Sequence, residues 1–157
     1  MLDVSCRRRS VLVFSWLSLC LLATRAHARS ESPVPGPLWT RLTHVEDAFR
    51  RGDAAALRAA CALGGKIHVE MRDFPSGQGN FGASQLEVIF RQIFKGQLTR
   101  ALAFLRDDVK LAPPATAFAR GVWVHRPTGG AETTQTLTFT LRAEGDDWRI
   151  QEIRSAR

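Results

Sequence analysis

The chain has 157 residues, 45% of them hydrophobic and 24% charged, with a formal net charge of +7. That length allows one domain, because each half of a divided chain would be too small to bury a good core. The proportions exclude a disordered chain, a collagen and a coiled coil.

The first residues differ from the rest. Arg7, Arg8 and Arg9 precede an apolar run from Val11 to Ala23, and Ala26-His27-Ala28 has the A-x-A form of a cleavage site. This predicts a secretory signal peptide over residues 1–28, removed after Ala28. The apolar run stops at Thr24 and Arg25, short of the ~20 residues that span a bilayer, so membrane contact is expected only through the cleaved signal. A lipoprotein signal needs a small residue before its cysteine, whereas Cys20 follows Leu19. Arg8-Arg9-Ser10-Val11-Leu12 resembles a twin-arginine signal, which stays open beside general secretion. The expected location is periplasmic or extracellular.

The signal takes four of the 22 Lys and Arg and one of the 15 Asp and Glu, leaving 18 cations and 14 anions. Those cations are scattered, with Arg50-Arg51 the one adjacent pair, and a nucleic-acid binder usually gathers them into a stripe. Nucleic acid is therefore not an expected partner. Cys6 and Cys20 leave with the signal, so Cys61 has no intrachain partner and reads as a buried, inert thiol on the apolar side of a short helix.

Residues 29–37 hold three prolines and read as an extended linker, with the domain spanning 38–157. Leu38, Leu42, Val45 and Phe49 form one stripe of a helix that Gly52 ends. Asp53 caps a second helix over 54–62, stopped by Gly64-Gly65. Ile67, Val69 and Met71 alternate with His68 and Glu70 in a half-buried strand, followed by a loop over 72–82. Ser84-Gln85-Leu86-Glu87 has the S-x-x-E spacing of a capping box, and Leu86, Ile89, Phe90, Ile93 and Phe94 continue as a helix closed by Gly96. Beyond it, period-two patterning predicts strands over 100–105, 118–125, 133–142 and 148–154, the last three in an antiparallel meander. The expected fold class is α+β: a curved antiparallel sheet wrapped on three helices from the N-terminal half.

The order of helix, helix, strand, helix and long meander, with Gly52-Asp53-Ala54-Ala55-Ala56-Leu57 and Asp147-Trp148-Arg149-Ile150-Gln151-Glu152-Ile153-Arg154, resembles the nuclear transport factor 2-like superfamily. Within it, Val69-Glu70-Met71 and the Gln85/Glu87 pair are similar to a small exported bacterial domain of unknown function. The resemblance implies a cone-shaped fold whose sheet encloses a pocket, often with dimerisation across the sheet. Catalytic members usually show a tyrosine with an aspartate, or an Asp-His pair, and this chain has no tyrosine. Fold does not carry function in this superfamily, which hosts isomerases, dehydratases and binding modules on one scaffold.

Three groups of residues remain as candidates. His68 and Glu70 share a strand face and, with His125, offer metal ligands or an acid–base set, but the alternation with Ile67 and Val69 points them away from the core. Trp123 and His125 share a face with space beside Ala119 and Gly121, and suit a small-ligand pocket; Arg120 joins only if a bulge turns it inward. The Gly-rich segment 76–82 lacks a phosphate-loop signature and reads as a hairpin near the pocket mouth. The favoured reading is a non-catalytic exported module that binds a small ligand or a protein partner through Trp123, His125, Arg120 and Glu70. No cofactor and no metal is expected. The alternative is a small hydratase- or isomerase-type pocket enzyme using Glu70 or His125 as acid or base. Thr134, Thr136, Thr138 and Thr140 form a polar face opposite Leu137 and Phe139, suited to homodimerisation.

Overall fold

A computed structural model describes residues 33–72 and 78–156 of the chain. The expected signal peptide, residues 29–32 of the linker and residues 73–77 of the loop lie outside the described residues. Helix α1 spans Gly36–Arg51 and opens with a proline in its first turn, so the last linker residues are already helical. Proline is tolerated there because those first amides have no partner within the helix. Gly52 ends α1 in the left-handed conformation, φ 64°, and the Asp53 amide donates to the Ala48 carbonyl at 2.8 Å. Asp53 then caps α2, Ala54–Ala59, by accepting from the Ala56 amide at 2.9 Å.

After β1, Lys66–Glu70, the chain forms a short strand, β2, Gly79–Gly82, where the sequence predicts only loop. β2 pairs antiparallel with β1. Helix α3, Ala83–Gly96, then starts before the expected capping serine: the Gln85 side chain accepts from the Gly82 amide at 2.9 Å. Glu87, the expected capping acid, instead accepts from Arg58 of α2 at 3.0 Å and from Arg91.

Strands β3 (Gln97–Ala112), β4 (Thr116–Pro127), β5 (Thr133–Glu144) and β6 (Asp147–Ser155) form the expected antiparallel meander, each longer than its pattern suggests. The sheet order is β2-β1-β6-β5-β4-β3. β1 lies parallel to β6, so the curved sheet is mixed rather than wholly antiparallel. Register slips between Thr99 and Ala101 and between Phe104 and Val109 let β3 bend around the core. At the second slip Glu46 of α1 accepts from the Phe104 amide at 2.6 Å.

The helices cover one sheet face. Phe49 of α1 stands at the centre of the buried layer, in edge contact with Phe90, Phe94, Trp123 and Phe139 at centroid distances of 5.5–6.1 Å. Cys61, expected on the second helix, lies past the end of α2 and bridges Ile150; it is buried in the same core, and burial pushes its thiol up to about 12. Among the described residues no helix is long and apolar enough to cross a membrane.

Candidate functional site

β-strand alternation decides what each face of the sheet can do. On β4, Ala117, Ala119, Gly121, Trp123 and His125 face the helices and are buried, whereas Phe118, Arg120 and Val122 between them are exposed on the other side. The β4–β5 register is continuous along this stretch, so no bulge turns Arg120 inward; it pairs with Thr138 on the outer face. On β1, Ile67 and Val69 are buried and His68 and Glu70 lie on that same outer face. The structure therefore brings Trp123 and His125 together and sets Arg120 and Glu70 apart from them, on the opposite surface. A three-residue set of His68, Glu70 and His125 cannot converge across a sheet.

The outer polar residues are engaged with one another. His68 Nδ1 lies 3.1 Å from Asn80 Oδ1, and β1–β6 pairing sets His68 beside Glu152 and Glu70 beside Arg154. Arg154 Nε is 2.8 Å from Glu152 and 3.8 Å from Glu70, and Thr140 donates to Glu152 at 2.9 Å. Such a ladder of paired charges along neighbouring strands accounts for the His-x-Glu pattern without catalysis. Thr134, Thr136, Thr138 and Thr140 continue this surface, as their alternation with Leu137 and Phe139 implied.

Inside, the Trp123 and His125 rings stack with centroids 3.9 Å apart and planes inclined by 21°, each residue 1% exposed. The space expected beside Gly121 is occupied: a Cβ there would stand 2.8 Å from Phe104 Cε1 and 3.0 Å from Leu102 Cδ1. The polar surroundings of the stack lie in the other direction along the strands. Trp123 Nε1 donates to Thr99 Oγ1 at 3.2 Å, Thr99 pairs with His125, and Gln135 pairs with Trp123. Gln97 lies two residues before Thr99, at the junction of α3 and β3. Gln97 Oε1 and both polar atoms of the Gln135 amide are buried and have no hydrogen-bond partner among the described residues. Buried amide groups are nearly always satisfied, so these three atoms, two of them on the residue paired with Trp123, make this end of the sheet the candidate site.

Gln97, Thr99 and Gln135 are absent from the sequence-based candidates. Gln135 shares the parity of Leu137, Phe139 and Leu141, a signal available in the sequence. Gln97 and Thr99 were hidden by the slip at Arg100: extending the alternation of Leu102 and Phe104 backwards puts Leu98 and Arg100 inside, whereas the extra residue turns Thr99 inward and leaves Leu98 52% exposed.

A separate groove of about 340 Å³ runs outside this end of the sheet, along Leu98, Arg126, Pro127 and the 128–130 turn. Thr128 ties that turn to the end of α3, its amide donating to the Gly96 carbonyl at 2.9 Å. Among the described residues no three His, Cys, Asp or Glu side chains gather closely enough to hold a metal ion.

No protein-family model matches the chain, and no curated protein matches it. Solved structures do. An NTF-2-like protein of unknown function from Shewanella oneidensis aligns with a TM-score of 0.59 and 18% identity, over 77% of this chain and 97% of its own. A ketosteroid isomerase-like protein from Erwinia carotovora atroseptica aligns at 0.60 and 18%, over 76% and 92%. A DUF4783 family protein from Bacteroides ovatus aligns at 0.56 and 15%, over 78% and 94%. The chain thus has the fold of these NTF2-like structures, as the order of elements implied.

Proposed function

We propose that this chain is a non-catalytic binding module, exported by a cleaved leader, that holds a small molecule at the polar end of its inner sheet face. The observation that carries this reading is the buried Trp123–His125 stack with the unsatisfied amides of Gln97 and Gln135 beside it. A planar aromatic surface next to hydrogen-bonding amides is how small-molecule sites combine apolar contact with orientation. The alternative, a pocket enzyme using Glu70 or His125 as acid or base, is disfavoured for Glu70, which stands on the outer face of the sheet, away from the stack.

Native mass spectrometry of the protein recovered from the export compartment tests this. The expected spectrum shows a chain beginning at Arg29 that carries a bound small molecule, lost in a Trp123→Ala variant that remains folded. A bare mass for the wild type, with no compound from a metabolite mixture retained, would contradict it.

Self-association is the second proposal, favoured by the apolar Phe118 and Val122, 41% and 40% exposed beside the threonine rows. We propose that a second copy covers this outer face. Val122→Lys is then expected to convert a dimer to a monomer in the same spectra; a monomeric wild type would end the idea.

A further inference from the structure

Resting on the binding site just proposed, we infer that its ligand is a small uncharged molecule of the amide or urea class, bearing a hydrogen-bond donor and acceptor side by side. Three observations lead there. First, the atoms awaiting a partner are two amide oxygens, which accept, and one amide nitrogen, which donates. The Gln135 side chain offers both kinds from one plane, and the group that answers both at once is another amide edge, its N–H to the Gln135 oxygen and its C=O to the Gln135 nitrogen. Gln97 Oε1 can take a second N–H. Either orientation of the Gln135 amide gives the same pairing, so the inference does not depend on which atom is oxygen.

Second, no Asp, Glu, Lys or Arg side chain is fully buried among the described residues. His125 is the one polar or charged residue that is fully buried among those described. The nearby charged side chains in sequence turn outward: Arg100 meets Glu132 at 3.6 Å, both more than half exposed, and Arg126 lines the external groove. A carboxylate or ammonium ion carried to Gln135 would lose its hydration with no counter-charge to replace it, a far larger penalty than a neutral amide suffers.

Third, the remaining wall is aromatic. Trp123 has its indole N–H committed to Thr99 and its ring stacked on His125 at 3.9 Å, so the pair adds apolar ring contact and no indole donor to the site. A flat amide or urea fits such a wall.

The test uses the mature protein labelled with ¹⁵N, following the side-chain NH₂ resonances of Gln97 and Gln135 during titration with acetamide, methylurea, acetate and methylammonium, four probes of similar size. Acetamide and methylurea are expected to shift both glutamine resonances saturably, while acetate and methylammonium at equal concentration leave them in place. Gln135→Leu, which keeps the side-chain volume, is expected to weaken acetamide binding by about tenfold or more, because a site shaped for hydrogen bonds rejects a partner it cannot pair. Gln135→Glu should weaken it as well and checks against misfolding of the leucine variant. If the charged probes bind as tightly as the neutral ones, the ligand class is wrong while the site stands. If no probe moves either resonance, water alone satisfies these amides, and the site falls together with the inference.

Discussion

The middle of the inner sheet face and its end beside the 128–130 turn are built from the same strands and finished in opposite ways. In the middle, Phe49 is ringed by Phe90, Phe94, Trp123 and Phe139, and Phe104 fills the gap left by Gly121. Two strand positions further along, leucine and phenylalanine give way to Gln97, Thr99, His125 and Gln135, and hydrogen-bonding capacity is left buried. The contrast teaches which part of the inner face is closed by packing and which leaves hydrogen-bonding capacity unused among the described residues. Close packing stabilises at every contact, whereas an unsatisfied buried amide costs about 1–3 kcal/mol. Proteins keep such costs mainly where function requires them.

Substitutions that attack the middle should have the largest effects. Phe49→Ala removes one ring from four ring contacts and is expected to cost about 3–5 kcal/mol, read as the urea midpoint of unfolding. Gly121→Ala drives a methyl group against Phe104 and Leu102 and should cost about 1–3 kcal/mol in the same measurement. At the polar end the sign reverses. Gln135→Leu replaces two buried, unpartnered polar atoms with carbon, so stability without ligand is expected to rise by about 1 kcal/mol. A loss of that size instead would mean that Gln135 is paired within the protein, and the contrast between the two ends would disappear.

The smallest effect lies away from both. Asp147, at the start of β6, accepts from Arg41 of α1 at 2.6 Å and from Arg149 at 2.9 Å. The Arg41 guanidinium holds its carboxyl below the usual carboxylate range. Because the folded value is depressed, this contribution is complete above the unfolded carboxylate's pKa of about 4 and is lost as pH falls through the lower folded value. Asp147 is 34% exposed, so solvent screening limits the term to about 0.5 kcal/mol. Thermal unfolding of wild type and Asp147→Asn should differ at pH 7 and converge in acid.

Much of this architecture was legible because it is local. The stripe of α1, the Gly52 stop, the Asp53 cap and the alternation of β4 to β6 each follow from residues within a few positions of one another. The missed features depend on distant partners or on irregularity. Gly79–Gly82 has too few side chains to announce a strand, and it becomes one only because β1 offers an edge. The parallel pairing of β1 with β6 joins the first strand to the last, with α3 and the rest of the meander between them in sequence. Ser84 and Glu87 match a capping motif, but Gln85 reaches the Gly82 amide first and the arginines of α2 and α3 take Glu87. For the site, alternation put Trp123 and His125 on one face and His68 and Glu70 on the other, while the slip at Arg100 concealed Gln97 and Thr99.

The proposal that the polar end of the inner face receives a small molecule is tested most directly by an experimental electron-density map of the mature protein, purified without added compounds and resolved to the atom. The expected map shows a compact organic molecule against the Trp123 ring and bonded to the side-chain amides of Gln97 and Gln135. A map in which ordered waters, or neighbouring side chains of the chain itself, complete those amides would contradict it.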